Sequence, residues 1–111
     1  MRKLAASTLL IVGFVFGSTA AIAGGDPEAG QQKSQVCQAC HGTDGKGNIP
    51  TYPVLAGQYA DYMEQALKAY RDGGRSNAIM AGIAGPLSDE DIEDLAAYYS
   101  AMEGLKDLSI K

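Results

Sequence analysis

Histidine occurs once in this 111-residue chain, tryptophan is absent, and the only phenylalanines are Phe14 and Phe16. One histidine excludes any site that needs two imidazoles, as paired metal ligands or as an acid and a base. Beyond residue 23 there are two Val, two Thr and five Ile, with no alternating apolar run. Strands therefore find no support, and the chain reads as all-α. Basic residues are also scarce: nine Lys and Arg face thirteen Asp and Glu, a net charge of −4. That sign argues against nucleic acid and against acidic membrane surfaces as partners. There is no repeat, no low-complexity tract and no phosphate-cradling Gly-Lys-Ser/Thr motif. The length leaves room for one domain.

Part of that length reads as an export signal. Met1-Arg2-Lys3 is a basic start, the next charge is Asp26, and Leu9–Phe16 is a short apolar core. Ala21-Ile22-Ala23 has the small-residue pattern of a cleavage site, dividing the chain into a signal at 1–23 and a domain at 24–111. The competing reading is an uncleaved anchor, since Leu4–Ala23 is 20 uncharged residues. Ser, Thr and Gly dilute that stretch, which favours cleavage. Neither Cys lies near it, so a lipid-anchored cysteine is excluded, and no twin-arginine pair precedes it. The expected location is the periplasm. Loss of Arg2 and Lys3 leaves 88 residues of net charge −6. A chain that small buries a limited core and often depends on a staple or a bound prosthetic group.

Within the exported part, Pro27 suits the first turn of a helix, and Glu28–Gln38 reads as helical with Ala29, Val36 and Ala39 facing inward. Glycines and prolines make residues 42–53 a loop. Gln58–Asp72 carries the clearest helical stripe, Tyr59, Tyr62, Met63, Ala66, Leu67 and Tyr70, ended by Gly73-Gly74. Arg75–Leu87 reads as a second loop. Ser88 caps a last helix with Asp91 as its capping-box partner, and Ile92, Leu95, Ala96, Tyr99 and Met102 form its stripe, closed by Gly104. Loops this long in so few residues imply that they line a ligand.

Cys37-Gln38-Ala39-Cys40-His41 is the C-x-x-C-H pattern of c-type haem attachment. Positions i, i+3 and i+4 leave a helix on one face, so two thiols and an imidazole can meet one flat object. The thiols add to two vinyl groups as thioethers, and His41 reaches the iron. Three alternatives fit less well. A disulfide leaves His41 without a task. Thioredoxin-like chemistry wants its cysteine pair at a helix start after a strand. Zinc wants four ligands, where this chain offers two Cys and one His.

No histidine remains for the second axial position, so a methionine is the natural donor. Met63 and Met102 complete apolar stripes and read as core. Met80, in Asn77-Ala78-Ile79-Met80-Ala81-Gly82, reads as a loop residue with no stripe to complete. A thioether favours ferrous iron and raises the potential. Met80 is therefore the candidate sixth ligand, with Met63 or an open site as the alternatives.

Together these pieces resemble the class I monohaem cytochromes c, of the c553-like group, and one half of the dihaem cytochrome c4. The resemblance rests on Cys37-Gln-Ala-Cys-His41-Gly, Tyr52-Pro-Val-Leu-Ala-Gly-Gln58, Gly74-Arg-Ser-Asn77 with Met80, and Leu87-Ser-Asp-Glu-Asp-Ile92 with Ala97-Tyr-Tyr99. It implies a small cytochrome c fold, three to five helices with long loops wrapped around one covalent haem c. Cys37 and Cys40 would attach it, with His41 and Met80 on the iron. A single C-x-x-C-H departs from the dihaem relatives. The resemblance also implies a proline carbonyl behind His41, for which Pro53 matches best and Pro50 lies close. It makes Arg75 a candidate partner for a haem propionate, against the plainer reading of a solvated loop arginine.

The implied function is a soluble periplasmic carrier of one electron between redox partner proteins, performing no bond chemistry and meeting membranes only through partner complexes. The alternatives are a haem sensor or peroxidase-like enzyme with an open iron site, and an electron-transfer subunit of a larger enzyme. Ala81, Gly82, Ile83, Ala84 and Gly85 read either as a contact patch at the haem edge or as core. Asp89, Glu90, Asp91, Glu93 and Asp94 either steer a partner with a basic docking face or serve only the helix dipole.

Overall fold

The computed structural model describes residues 24–105 and Gly13. Apart from Gly13, the expected signal at 1–23 lies outside the described residues, as does the tail after Leu105. Five helices form the described part: α1 (Pro27–Lys33), α2 (Gln35–His41), α3 (Ala60–Asp72), α4 (Ala78–Ala84) and α5 (Asp89–Ser100), with no strand among these residues.

Local chemistry sets most of their ends. Asp26 accepts the Glu28 N–H at 2.9 Å, and Pro27 opens α1. Gly73 stops α3 at φ 89°, in the left-handed region. Both bonds of the Ser88–Asp91 capping box are made at the start of α5.

The single helix expected over Glu28–Gln38 is broken at Ser34. That side chain is fully buried; its hydroxyl donates to the Gln31 carbonyl at 2.7 Å and accepts from Gln38 Nε2 at 2.8 Å. A serine bonding back to the preceding turn competes with the helix ladder. The inward set differs accordingly. Val36 and Ala39 are exposed, Ala29 is half-buried, and Gly30, Ser34 and His41 are the buried positions.

Met63 of α3 meets Leu95, Ala96 and Tyr99 of α5 in the core, with Cys37, Leu55, Leu67, Leu87 and Met102 packed around them. Tyr59 and Tyr62 of the α3 stripe face outward, at 60% and 49% exposure. Helix α1 lies along α5, and Gly30 marks the crossing, where a Cβ would run into the Asp94 carbonyl and Tyr98 Cβ. Helix α4 packs on α3.

The expected loop at Arg75–Leu87 contains α4. Fewer than two full turns long and holding Gly82, it gave little periodicity to read. Asn77 starts it by accepting the Met80 N–H at 3.0 Å. Met80, Ile83 and Ala84 then form a short inward stripe, with Ala84 fully buried. Met80 is a helix residue, not a loop residue, and does have a stripe.

Asp94 ties the chain start to α5. At 4% exposure it accepts the Asp26 N–H at 2.7 Å and Lys33 Nζ at 2.6 Å, while Lys33 also bridges Asp91 at 2.8 Å. The Lys33 ammonium, then the Asp26 N–H, hold Asp94 below the usual carboxylate range. Lys33 and the Ser88 capping bonds lower Asp91 from 3.8 to about 2. Depressed carboxylates stabilise the fold above their unfolded pKa and lose that contribution as pH falls through the folded value. The melting temperature should therefore drop from about pH 4 downward through about pH 2. Asp94→Asn should lower it by several degrees at pH 7 and flatten that acid limb, as followed by circular dichroism.

Candidate functional site

Cys37, Cys40 and His41 share one face at the end of α2, as their spacing requires. Both cysteines are free and half-buried, and His41 is 6% exposed. Burial pushes the Cys37 thiol pKa upward. Gly42, at φ 81°, turns the chain away from the helix, and the Gly47 N–H returns to the His41 carbonyl at 2.6 Å. The loop then curls back, with the Leu55 and Ala56 N–H groups donating to the Gly45 carbonyl at 2.7 and 3.0 Å. Two further bonds seat it on the end of α5: Gly57 N–H to the Tyr99 carbonyl at 2.9 Å, and Leu105 N–H to the Ala56 carbonyl at 2.7 Å.

This curl carries the Pro53 carbonyl to 2.8 Å from His41 Nδ1. A carbonyl only accepts, so Nδ1 carries the proton, and in the neutral imidazole Nε2 keeps a bare lone pair. That is the tautomer a metal ligand needs, fixed from behind by the main chain. Pro53, not Pro50, makes this contact. The Tyr52 ring leans on the imidazole, tilted by 58° at 6.3 Å between centroids.

The other candidates are placed differently. Met80 is half-buried in the first turn of α4, outside the core cluster that contains Met63 and adjoins Met102. The Arg75 guanidinium stacks 4.7 Å over the Tyr70 ring and lines a cleft of about 300 Å³ with Tyr62, Gln65, Ala66 and Ala69. The expected contact patch is divided: Ala84 is fully buried, Ile83 half-buried, and Ala81, Gly82 and Gly85 exposed. The acidic run is partly neutralised, with Asp89 on Arg71 at 2.8 Å and Asp91 and buried Asp94 on Lys33. Glu90 and Glu93 carry no ion pair among the described residues.

One polar group was missed entirely. Tyr99 fits the α5 stripe and nothing marks it further in the sequence, yet its hydroxyl is buried without a hydrogen-bond partner. Such a group costs about 1–3 kcal/mol.

Among the described residues no three His, Cys, Asp or Glu side chains come together to hold a metal ion. Two free thiols and one imidazole nitrogen with a lone pair, on one helix face, fit haem.

The helical fold and this donor set define a c-type haem domain. The profile of the family described as Cytochrome c matches residues 27–103, and the chain belongs to that family. It is 56% identical over 82 residues to cytochrome c-554(548) of Halomonas halodenitrificans, covering 71% of this chain and 99% of that one. It is 42% identical to cytochrome c4 of Stutzerimonas stutzeri, covering 94% of this chain and 52% of the relative. The crystal structure of reduced recombinant cytochrome c4 from Pseudomonas stutzeri superposes with a TM-score of 0.70 at 44% identity, over 73% of this chain and 47% of that one. The chain thus spans nearly all of the c-554(548) relative and about half of the c4 relatives.

Proposed function

We propose that this protein is a soluble, exported carrier of single electrons, with one haem c attached through Cys37 and Cys40. The observation that carries this reading is the His41–Pro53 contact, which presents Nε2 as a ligand beside two free thiols. Cys37 and Cys40 would hold the haem as thioethers, an addition across its two vinyl bonds that needs no external oxidant. When bound, the haem supplies a reversible one-electron couple. The protein's part would be to hold the imidazole tautomer through Pro53, to offer the Met80 thioether as a further donor, and to exclude water with the core of α3 and α5. A thioether and an imidazole together favour the reduced state of a carrier. The Arg75 side of the 300 Å³ cleft is the proposed seat of a propionate. Export through a signal cut after Ala23 places the protein in the periplasm, and no described helix is long and apolar enough to cross a membrane.

Acid-acetone extraction of the purified protein tests the reading at its root. Covalent haem stays with the protein; haem that leaves with the solvent would defeat the proposal.

The partners are redox proteins with a basic docking face. Glu90 and Glu93 are the acids left to steer them, since Asp89, Asp91 and Asp94 are held by Arg71 and Lys33. Glu90→Lys with Glu93→Lys should slow association with a basic redox partner several-fold at low ionic strength, converging with wild type at high salt. Equal stopped-flow rates at all salt concentrations would leave these acids to the helix dipole.

A further inference from the structure

Tyr99 is 1% exposed, yet its hydroxyl has no hydrogen-bond partner. Hydroxyls at this depth are ordinarily paired, and a phenylalanine would fill the same space without a stranded donor. The ring itself is firmly held. It belongs to the core cluster, lies 5.0 Å from the Tyr98 ring, and passes so near Gly45 that a Cβ there would touch Tyr99 Cδ1. The polar side chains that bear on the hydroxyl, without reaching hydrogen-bond geometry, are the Cys37 thiol and the Ser34 hydroxyl. Ser34 spends its proton on Gln31 and one lone pair on Gln38, and keeps a single acceptor position. Cys37 is free, and it packs on the same core cluster. When a thiol adds across a vinyl bond its hydrogen moves to carbon, and the sulfur is left as an acceptor only. A nearby O–H with no other partner is the complement of that sulfur.

We propose that Tyr99 is a positioning residue for the attached haem, its hydroxyl donating to the Cys37 sulfur once that sulfur is a thioether. The contact fixes the Cys37 side chain and points the positive end of the O–H dipole toward the prosthetic group. Positive potential there favours the ferrous state and raises the reduction potential. The inference rests on the reading of Cys37 as an attachment residue.

Tyr99→Phe in the haem-loaded full chain keeps the ring and removes only the hydroxyl. The melting temperature and the midpoint potential should both fall, with both thioethers retained by pyridine haemochrome. In wild type, the Tyr99 hydroxyl proton should exchange slowly and lie close to the Cys37 β protons by NMR. A hydroxyl still unpaired in the loaded protein gives the opposite result: Tyr99→Phe raises the melting temperature and leaves the potential unmoved, which overturns the proposal. A lower melting temperature with an unmoved potential assigns the hydroxyl to Ser34 and also overturns it. Wild type without covalent haem is a separate failure, that of the attachment reading itself.

Discussion

Haem-loaded protein should not accumulate from Cys37→Ala, and only weakly from Cys40→Ala. On the proposed reading each thiol is one of two covalent tethers, and the pair is free and half-buried on the face that His41 shares. Losing a tether would leave the prosthetic group with one thioether and the proposed His41 and Met80 donors, while the small apolar core has little else to hold it. The two substitutions should differ in degree. The Cys37 side chain packs on the core cluster of Met63, Leu95, Ala96 and Tyr99, so its removal also opens space there, at about 1 kcal/mol or more. Cys40 is no part of that cluster. Haem staining on a denaturing gel and the melting temperature of what survives measure both effects. Equal haem content in Cys37→Ala and wild type would remove the attachment reading.

The sequence was most legible where chemistry is local. The Ser88–Asp91 box, the Gly73 stop and the Ile92–Tyr99 stripe all depend on residues within one or two turns, and each is in place. The C-x-x-C-H face is likewise a property of helix geometry alone. What escaped depends on partners far along the chain. Ser34 breaks the first helix although its neighbours favour continuity, because its hydroxyl bonds both Gln31 and Gln38. Asp94 looked like one more surface acid in a run, yet Asp26 and Lys33, more than sixty residues away, bury and pair it.

Proximity in space also decided between two prolines three residues apart. Pro50 and Pro53 both follow the motif within a loop, and nothing in composition separates them. The curl set by the Gly45 carbonyl does so, by delivering the Pro53 oxygen to His41. The exposed Tyr59 and Tyr62 show the converse limit. A six-residue stripe on α3 is wider than the surface α5 covers, and periodicity alone does not say which edge faces water.

Met80→Ala should abolish the weak ferric sulfur-to-iron band in the far red, lower the reduction potential and open the iron to carbon monoxide. Axial ligands set haem potentials over a span of about 0.8 V, so the drop should be among the largest that any single substitution gives here. The choice of Met80 does not rest on its lacking a stripe, since Met80, Ile83 and Ala84 form one in α4. It rests on where the other methionines are spent. Met63 is 6% exposed within the core of Leu95, Ala96 and Tyr99, and Met102 packs on the same residues. Met80 lies outside that cluster, on a short helix whose start Asn77 fixes through the Met80 N–H at 3.0 Å. Met63→Leu should therefore leave the spectrum, the potential and the silence toward carbon monoxide unchanged, and cost packing of about 1 kcal/mol. An electron carrier keeps both axial positions filled; a sensor or peroxidase-like enzyme keeps one open. Carbon monoxide binding by the reduced wild type would thus favour the open-site reading, and a reversal of the two mutant phenotypes would move the ligand to Met63.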